Sequence, residues 1–205
     1  MIGIIDYDAG NLKSVEKALH YLGKEVIVTR DPKQLRQVDK VILPGVGAFG
    51  DAMAKLKEYH LDTLIHEIAD SGKPFLGICL GLQLLFEESE ESPGVEGLGI
   101  LKGKIKRIPD EDGLKVPHIG WNRLDVRRDD PLFRHFENGR YVYYVHSFYA
   151  KHCEADTLAT SDYSMPVTGV VRRGSVYGVQ FHPEKSGDAG LGLLRAFAEM
   201  QGEEP

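Results

Sequence analysis

The chain has 205 residues, with 25 Lys plus Arg against 31 Asp plus Glu and a formal charge of −6. That length suits one α/β domain burying roughly 70% of its extended-chain surface. The acidic balance argues against a general binder of phosphate backbones, which carries a basic face, and no apolar run approaches the roughly 20 residues of a membrane span.

The opening "MIGIIDYD" has no basic n-region and places Asp6 and Asp8 just after its apolar positions, so it reads as a first strand and not as a signal peptide. "DAGN" follows as a loop, and Asn11 or Ser14 is placed to cap a helix to about Leu22, with Leu12, Val15, Leu19 and Leu22 on one face. "EVIVT" (25–29) and "KVILP" (40–44) read as the second and third strands. Helical segments are expected between Gly50 and Ser71, broken near His60, and "PFLGI" (74–78) is the fourth strand. Leu80 to Glu88 reads as the next helix. Strands alternating with helices through short loops predict right-handed crossovers and a parallel sheet.

From about Gly94 to Gln180 the pattern changes to short β-like segments: "GILKGKIKRI", "YVYYVHSFYA", "TLATSDY" and "VTGVVRRGSVYGVQFH". A hairpin is expected around Arg173 and Gly174, and "GLGLLRAFAEM" closes the chain as a helix. The fold class expected is α/β: an open, mostly parallel sheet with flanking helices and an antiparallel or mixed β extension. No repeat or linker appears, so residues 1–205 are taken as a single domain.

Cys79 stands between Gly77 and Gly81 at the strand-to-helix turn, the spacing of a nucleophile elbow with Cys in place of Ser. Small neighbours let strand and helix pass closely, and the helix aims its amino-terminal N–H groups at the sulfur, which favours thiolate. The plain alternative is a buried structural thiol. Of the eight histidines, His182 in "GVQFHPEKS" is the sharpest partner for a thiolate, because Glu184 two residues on shares its face in an extended segment. "PGVGAFG" (44–50) is an ordinary βα turn, a phosphate loop or the source of an oxyanion donor beside Leu80 N–H; Ala48-Phe49 stand where a phosphate loop needs Lys-Ser or Lys-Thr. No zinc spacing appears: Cys153 beside His152 lacks two further ligands at usable intervals. The aromatic alternation of "YVYYVHSFY" reads as sheet core. Two cysteines with no exported scaffold suggest free thiols and a cytoplasmic protein.

Taken together, "PGVGAFG", "GICLGLQLLFE" and "FHPEKS" closely resemble the class I (triad) glutamine amidotransferases, in an order and separation that cover nearly the whole chain. "IDYDAGNLKSVEKAL", "VPHIGWN" and "YVYYVHSFYA" are similar to the branch of that family serving histidine biosynthesis. Leu82 stands where many relatives carry Met and Phe148 where many carry Tyr, both volume-conserving changes. The resemblance implies a flavodoxin-like fold, no cofactor or metal, and glutamine hydrolysis with Cys79 as nucleophile, His182 as acid and base and Glu184 as its orienter. It implies that Leu80 and Gly45-Val46-Gly47 hold the oxyanion, and that Gln83, Ser147 and Phe148 hold the glutamine head group. It further implies a heterodimer with a (β/α)₈ cyclase subunit, which receives ammonia through a channel and makes imidazole glycerol phosphate and an aminoimidazole carboxamide ribonucleotide. No synthase domain is expected within 205 residues. Gly10, Asn11, Trp121, Tyr143 and Lys185 are the implied partner face, although a core Trp and a solvated Lys are the plain readings of two of them. The rivals are the glutaminase subunit of a pyridoxal phosphate synthase, an inactive interaction module and a cysteine peptidase of similar fold.

Overall fold

The computed structural model describes residues 1–8, 10–110 and 114–202. The first half alternates as expected: β1 (Ile2–Ile5), α1 (Leu12–Tyr21), β2 (Val26–Thr29), α2 (Pro32–Gln37), β3 (Lys40–Leu43), α3 (Phe49–Glu58), α4 (Leu61–Asp70) and β4 (Phe75–Ile78). The break between α3 and α4 falls at His60, which is left-handed with φ 55°. α2 is not anticipated by the reading above, yet its start is chemically clear. The Asp31 carboxylate accepts from Lys33 N–H at 2.9 Å, and Pro32 supplies a preset φ at the first position.

The helix after β4 is shorter than expected. α5 covers Leu80–Leu84 and stops well before Glu88. Its continuation would need the carbonyls of residues 84–87 to stay within the helix, but Leu98, Leu101, Gly99 and Gly97 donate to Leu84, Leu85, Phe86 and Glu87 at 2.8–3.0 Å. A returning loop has taken the acceptors.

The second half holds β5 (Glu88–Ser89), β6 (Lys104–Arg107), β7 (His118–Arg123), β8 (Asp125–Val126), β9 (Tyr141–His146), β10 (Phe148–Lys151), β11 (Thr157–Asp162), β12 (Pro166–Arg173), β13 (Val176–Val179) and α6 (Gly187–Glu199). "YVYYVHSFYA" is two strands and not one. It divides at Ser147, β9 pairing with β7 and β10 with β6.

The main sheet runs β2-β1-β3-β4-β13-β12-β11-β8. β2 through β13 are mutually parallel, and β12, β11 and β8 extend the sheet antiparallel. Successive side chains of a strand fill opposite layers. Ile4, Ile42, Leu76, Ile78 and Val179 pack with α1 and α6, while Ile5, Val41, Leu43, Phe75 and Val176 pack with α3 and α4. β4 is therefore buried on both faces, which explains its unbroken apolar run. The turn into α5 and the loop after β3 meet at the carboxyl edge of this sheet, where open parallel sheets bind ligands. Among the described residues no helix is long and apolar enough to cross a membrane.

Candidate active site

Cys79 holds φ 54°, ψ −110°, a conformation that costs a non-glycine residue about 1–3 kcal/mol and is kept where surrounding structure enforces it. The enforcement is visible. Cys79 N–H donates to Val179 O at 2.8 Å, and a Cβ on Gly81 would stand 1.8 Å from the Leu43 carbonyl oxygen. A Cβ on Gly77 would stand 2.7 Å from the Gly81 oxygen. The two glycines are there because α5 crosses β3 and β4 at backbone contact.

His182 follows β13, with its N–H donating to Tyr143 O at 2.9 Å. The Ser186 hydroxyl donates to His182 O at 2.6 Å and accepts from Tyr143 N–H at 2.9 Å. These bonds pin His182 to β9. The His182–Glu184 contact forms, but not on an extended segment. Residues Pro183–Lys185 make a 3₁₀ turn, since proline at the first helical position forfeits no needed donor. The turn folds Glu184 back, and His182 Nδ1 donates to Glu184 Oε1 at 2.7 Å with both side chains almost wholly enclosed, at 1% and 0% exposure.

His182 Nε2 is buried without a hydrogen bond in the described geometry. Burial alone would lower the imidazole pKa, but the Cys79 sulfur and the Glu184 carboxylate outweigh it and raise the value to about 9. The His182 proton is therefore held through neutral pH, beside the Cys79 sulfur. The sulfur also lies 3.8 Å from the Gln180 amide nitrogen.

A cavity of about 340 Å³ opens over the sulfur and is lined by Val46, Gly47, Cys79, Leu80, Gln83, Glu91, Ser147, Phe148 and His182, among others. The sequence-derived candidates for nucleophile, base, oxyanion loop and head-group contact thus converge on one space. Gly45 lies beneath it, where a Cβ would come 2.4 Å from the Tyr7 hydroxyl. Gly47 has φ 106°, a region open mainly to glycine. Gln83 spends both amide hydrogens inside the protein, on Phe148 O at 3.0 Å and Gln180 Oε1 at 3.1 Å. Its Oε1 is left as the atom available to a ligand.

Of the expected partner face, Trp121 is 56% exposed, so the core reading is wrong for it. It stands opposite Tyr143 in the β7–β9 pair, edge to face at 5.9 Å. Ile119 on β7 and Tyr141 on β9 are also exposed. The buried half of the aromatic alternation, Val142 and Tyr144, is core as expected. Lys185 and Gly10 are exposed. Asn11 is half-buried and turned inward, donating from Nδ2 to Glu184 Oε1 at 2.5 Å.

Three residues that the sequence reading passed over belong to the site. Gln180 is fully buried between Gln83 and the sulfur; its place two positions before His182, on the same face of an extended segment, was the available signal. Glu91 puts a carboxylate on the cavity wall while accepting from Phe49 N–H at 2.8 Å. His146 lines the cavity from behind.

A family model described as glutamine amidotransferase class-I matches residues 3–199. The chain belongs to the class I glutamine amidotransferases. Among curated members, the imidazole glycerol phosphate synthase subunit HisH of Listeria monocytogenes serotype 4b is 50% identical over 200 residues, covering 98% of this chain and 96% of its own. The same-named subunit of Oceanobacillus iheyensis is 51% identical over 201 residues, covering 98% and 99%. Solved structures carry the same fold at low identity. A glutamine amidotransferase crystal structure aligns with TM-score 0.76 at 21% identity over 97% of each chain, and PurLQS from Thermotoga maritima with 0.74 at 22% over 96% of each. This amidotransferase therefore has the α/β architecture of its family at the full length of the sheet.

Proposed function

We propose that the chain is the glutaminase subunit of an imidazole glycerol phosphate synthase, hydrolysing glutamine and delivering ammonia to a (β/α)₈ cyclase subunit. The observation that carries the reading is the Cys79–His182–Glu184 constellation, assembled over a cavity in a chain 50% identical to a curated subunit of that name.

The chemistry follows from the charges. The Cys79 thiolate attacks the carboxamide carbon, and the negative oxygen formed is held by Leu80 N–H together with an N–H of Gly45-Val46-Gly47. The proton already on His182 passes to the departing nitrogen, and ammonia leaves with the C–N bonding pair. His182, now neutral, takes a proton from water as that water attacks the thioester, giving glutamate, releasing the Cys79 sulfur and restoring the imidazolium. Glu184 keeps the ring oriented and stabilises its cationic form. The glutamine ammonium is matched by the Glu91 carboxylate and Gln83 Oε1, both on residues that line the cavity.

The outward face of β7–β9, with Ile119, Trp121 and Tyr141 exposed beside the cavity, supports docking of the cyclase there. Free thiols at Cys79 and Cys153 fit a cytoplasmic enzyme. The test is reconstitution with a (β/α)₈ cyclase of the histidine pathway and its phosphoribulosyl formimino-carboxamide nucleotide. Glutamate and imidazole glycerol phosphate are expected in equal amounts; glutamate formation without any coupling to the cyclase would reject the assignment.

A further inference from the structure

Two buried histidines outside the triad stand behind the glutamine cavity. His118 on β7 and His146 on β9 face each other across the strand pair, His118 Nδ1 lying 2.9 Å from His146 Nε2. The His118 ring is stacked between Tyr144, at 4.7 Å, and Tyr163, at 3.9 Å.

The protons of this pair can be assigned from its ends. The Phe148 carbonyl can only accept, so His146 Nδ1, 2.8 Å away, carries a hydrogen and donates to it. His146 Nε2 in the neutral ring is then bare and accepts from His118 Nδ1–H. That leaves His118 Nε2 bare, and Asn122 Nδ2 reaches it at 3.3 Å. The Asn122 amide is itself oriented, donating to Asp162 O and accepting from Arg123 N–H, each at 2.8 Å. Every link has one consistent direction. Burial holds both rings neutral, with His118 lowered to about 4 and His146 to about 3.

The inner end of the chain matters most. Phe148 O accepts from His146 and from the Gln83 amide together, and Gln83 continues to Gln180 and the Cys79 sulfur. The outer end is Asn122, the residue after Trp121.

We infer that His118 and His146 are positioning residues for glutamine binding: their ordered hydrogen bonds fix the Phe148 carbonyl and, through it, the Gln83 amide that faces the substrate. The inference rests on the glutaminase reading above. Neither ring transfers a proton in the reaction.

Two substitutions separate hydrogen bonding from packing. In His118→Phe the ring between the tyrosines stays and both nitrogens go. In His118→Asn the ring goes, but the side-chain amide can supply a donor where Nδ1 stood. The measurement is glutamine kinetics of the full chain in complex with the cyclase subunit, with melting temperatures alongside. His118→Phe is expected to raise KM about tenfold, the worth of one buried hydrogen bond, with kcat changed less than about threefold. His118→Asn is expected within about threefold of the parent in both. An unchanged KM in His118→Phe, or an Asn variant as impaired as Phe, overturns the inference. Should His118→Phe fail to fold, nitrogen NMR of histidine-labelled parent chain decides: hydrogen on Nδ1 of both rings is expected, and hydrogen on His146 Nε2 overturns it. A parent complex with no glutamine turnover would reject the glutaminase reading instead, and the NMR result would still decide the proton order.

Discussion

Asn11 and Glu184, 173 positions apart, are joined by a hydrogen bond of 2.5 Å from Nδ2 to Oε1, the same oxygen that accepts from His182. Glu184 Oε2 is buried with no hydrogen-bond partner in the described geometry, so Oε1 carries the contacts that orient this carboxylate. Asn11 is left-handed at φ 72°, and its neighbour Gly10 would touch Val46 at 2.9 Å if it carried a Cβ. The loop after β1 thus touches both Glu184 and the Gly45-Val46-Gly47 segment. Its other side is moored by Asp8, whose carboxylate accepts from Arg30 and Tyr59 and is held below its usual range by them.

Removing the amide from this oxygen should therefore reduce turnover without removing the chemistry. Asn11→Ala is expected to lower kcat about tenfold, the worth of one hydrogen bond to a charged group. Asn11→Asp should lower it further, because a second carboxylate would face Glu184. Steady-state kinetics with the partner present checks the order, and an Asp variant better than Ala would contradict the role given to Asn11.

For the nucleophile, Cys79→Ala is expected to abolish glutamine hydrolysis with fold and partner binding retained. Cys153→Ala should be close to neutral, since that thiol is buried against Thr157 and Thr168 and burial pushes its pKa up. After treatment with a glutamine-analogue electrophile, mass spectrometry should find the adduct on Cys79. An adduct confined to Cys153 would reverse the assignment.

The pH profile reports the base. Because His182 is raised from 6.5 to about 9, its proton is present through neutrality and is lost as pH rises through about 9. kcat/KM should fall on that alkaline limb, and the stability this proton gives, complete below about pH 6.5, should be lost over the same interval. Glu184→Gln removes one of the raising charges and should move the limb to lower pH. His182→Ala should cost as much as losing Cys79, and Glu184→Gln less. An alkaline limb unmoved by Glu184→Gln would show that this carboxylate does not tune the ring.

Gly47 is the site of the fourth test. At φ 106° a Cβ would meet no atom within 4 Å, so any effect of Gly47→Ala comes from backbone conformation alone. A misplaced oxyanion donor costs about 3–4 kcal/mol, and the isolated chain is expected to be a poor glutaminase. The ligand-bearing cyclase should accelerate it by about two or more orders of magnitude. Gly47→Ala should blunt that acceleration more than it weakens binding. Turnover of the chain alone, the complex and the complex with ligand makes the comparison; equal rates in all three would mean that no switch exists.

Trp121 offers the fifth. Exposed as it is, Trp121→Ala should leave the melting temperature of the free chain nearly unchanged while weakening the partner complex by about 2 kcal/mol or more, the range of an aromatic anchor. Titration calorimetry with the cyclase measures it, and unchanged affinity would place the interface elsewhere.

What could be known from the order of residues alone is local. Apolar runs at strand length, helical spacing between them, the elbow around Cys79 and the short step from His182 to Glu184 all involve groups within a turn or two of chain, where backbone geometry leaves few options. Those features carried the α/β architecture and the three side chains, Cys79, His182 and Glu184, proposed as the triad. The truncation of α5, the inward turn of Asn11, the bridging place of Gln180, the exposure of Trp121 and the His118–His146 pair were decided only by tertiary structure. Each depends on which distant carbonyl, amide or ring arrives opposite a given residue. Residues 97–101 take the acceptors of α5, the 3₁₀ turn brings Glu184 to Asn11, and the β7–β9 register sets His118 against His146 while turning Trp121 outward. Alternation along a strand says that two side chains share a face, but not which face is covered or by what. A buried polar group is stable only with its partner in place, and that partner is supplied by the fold.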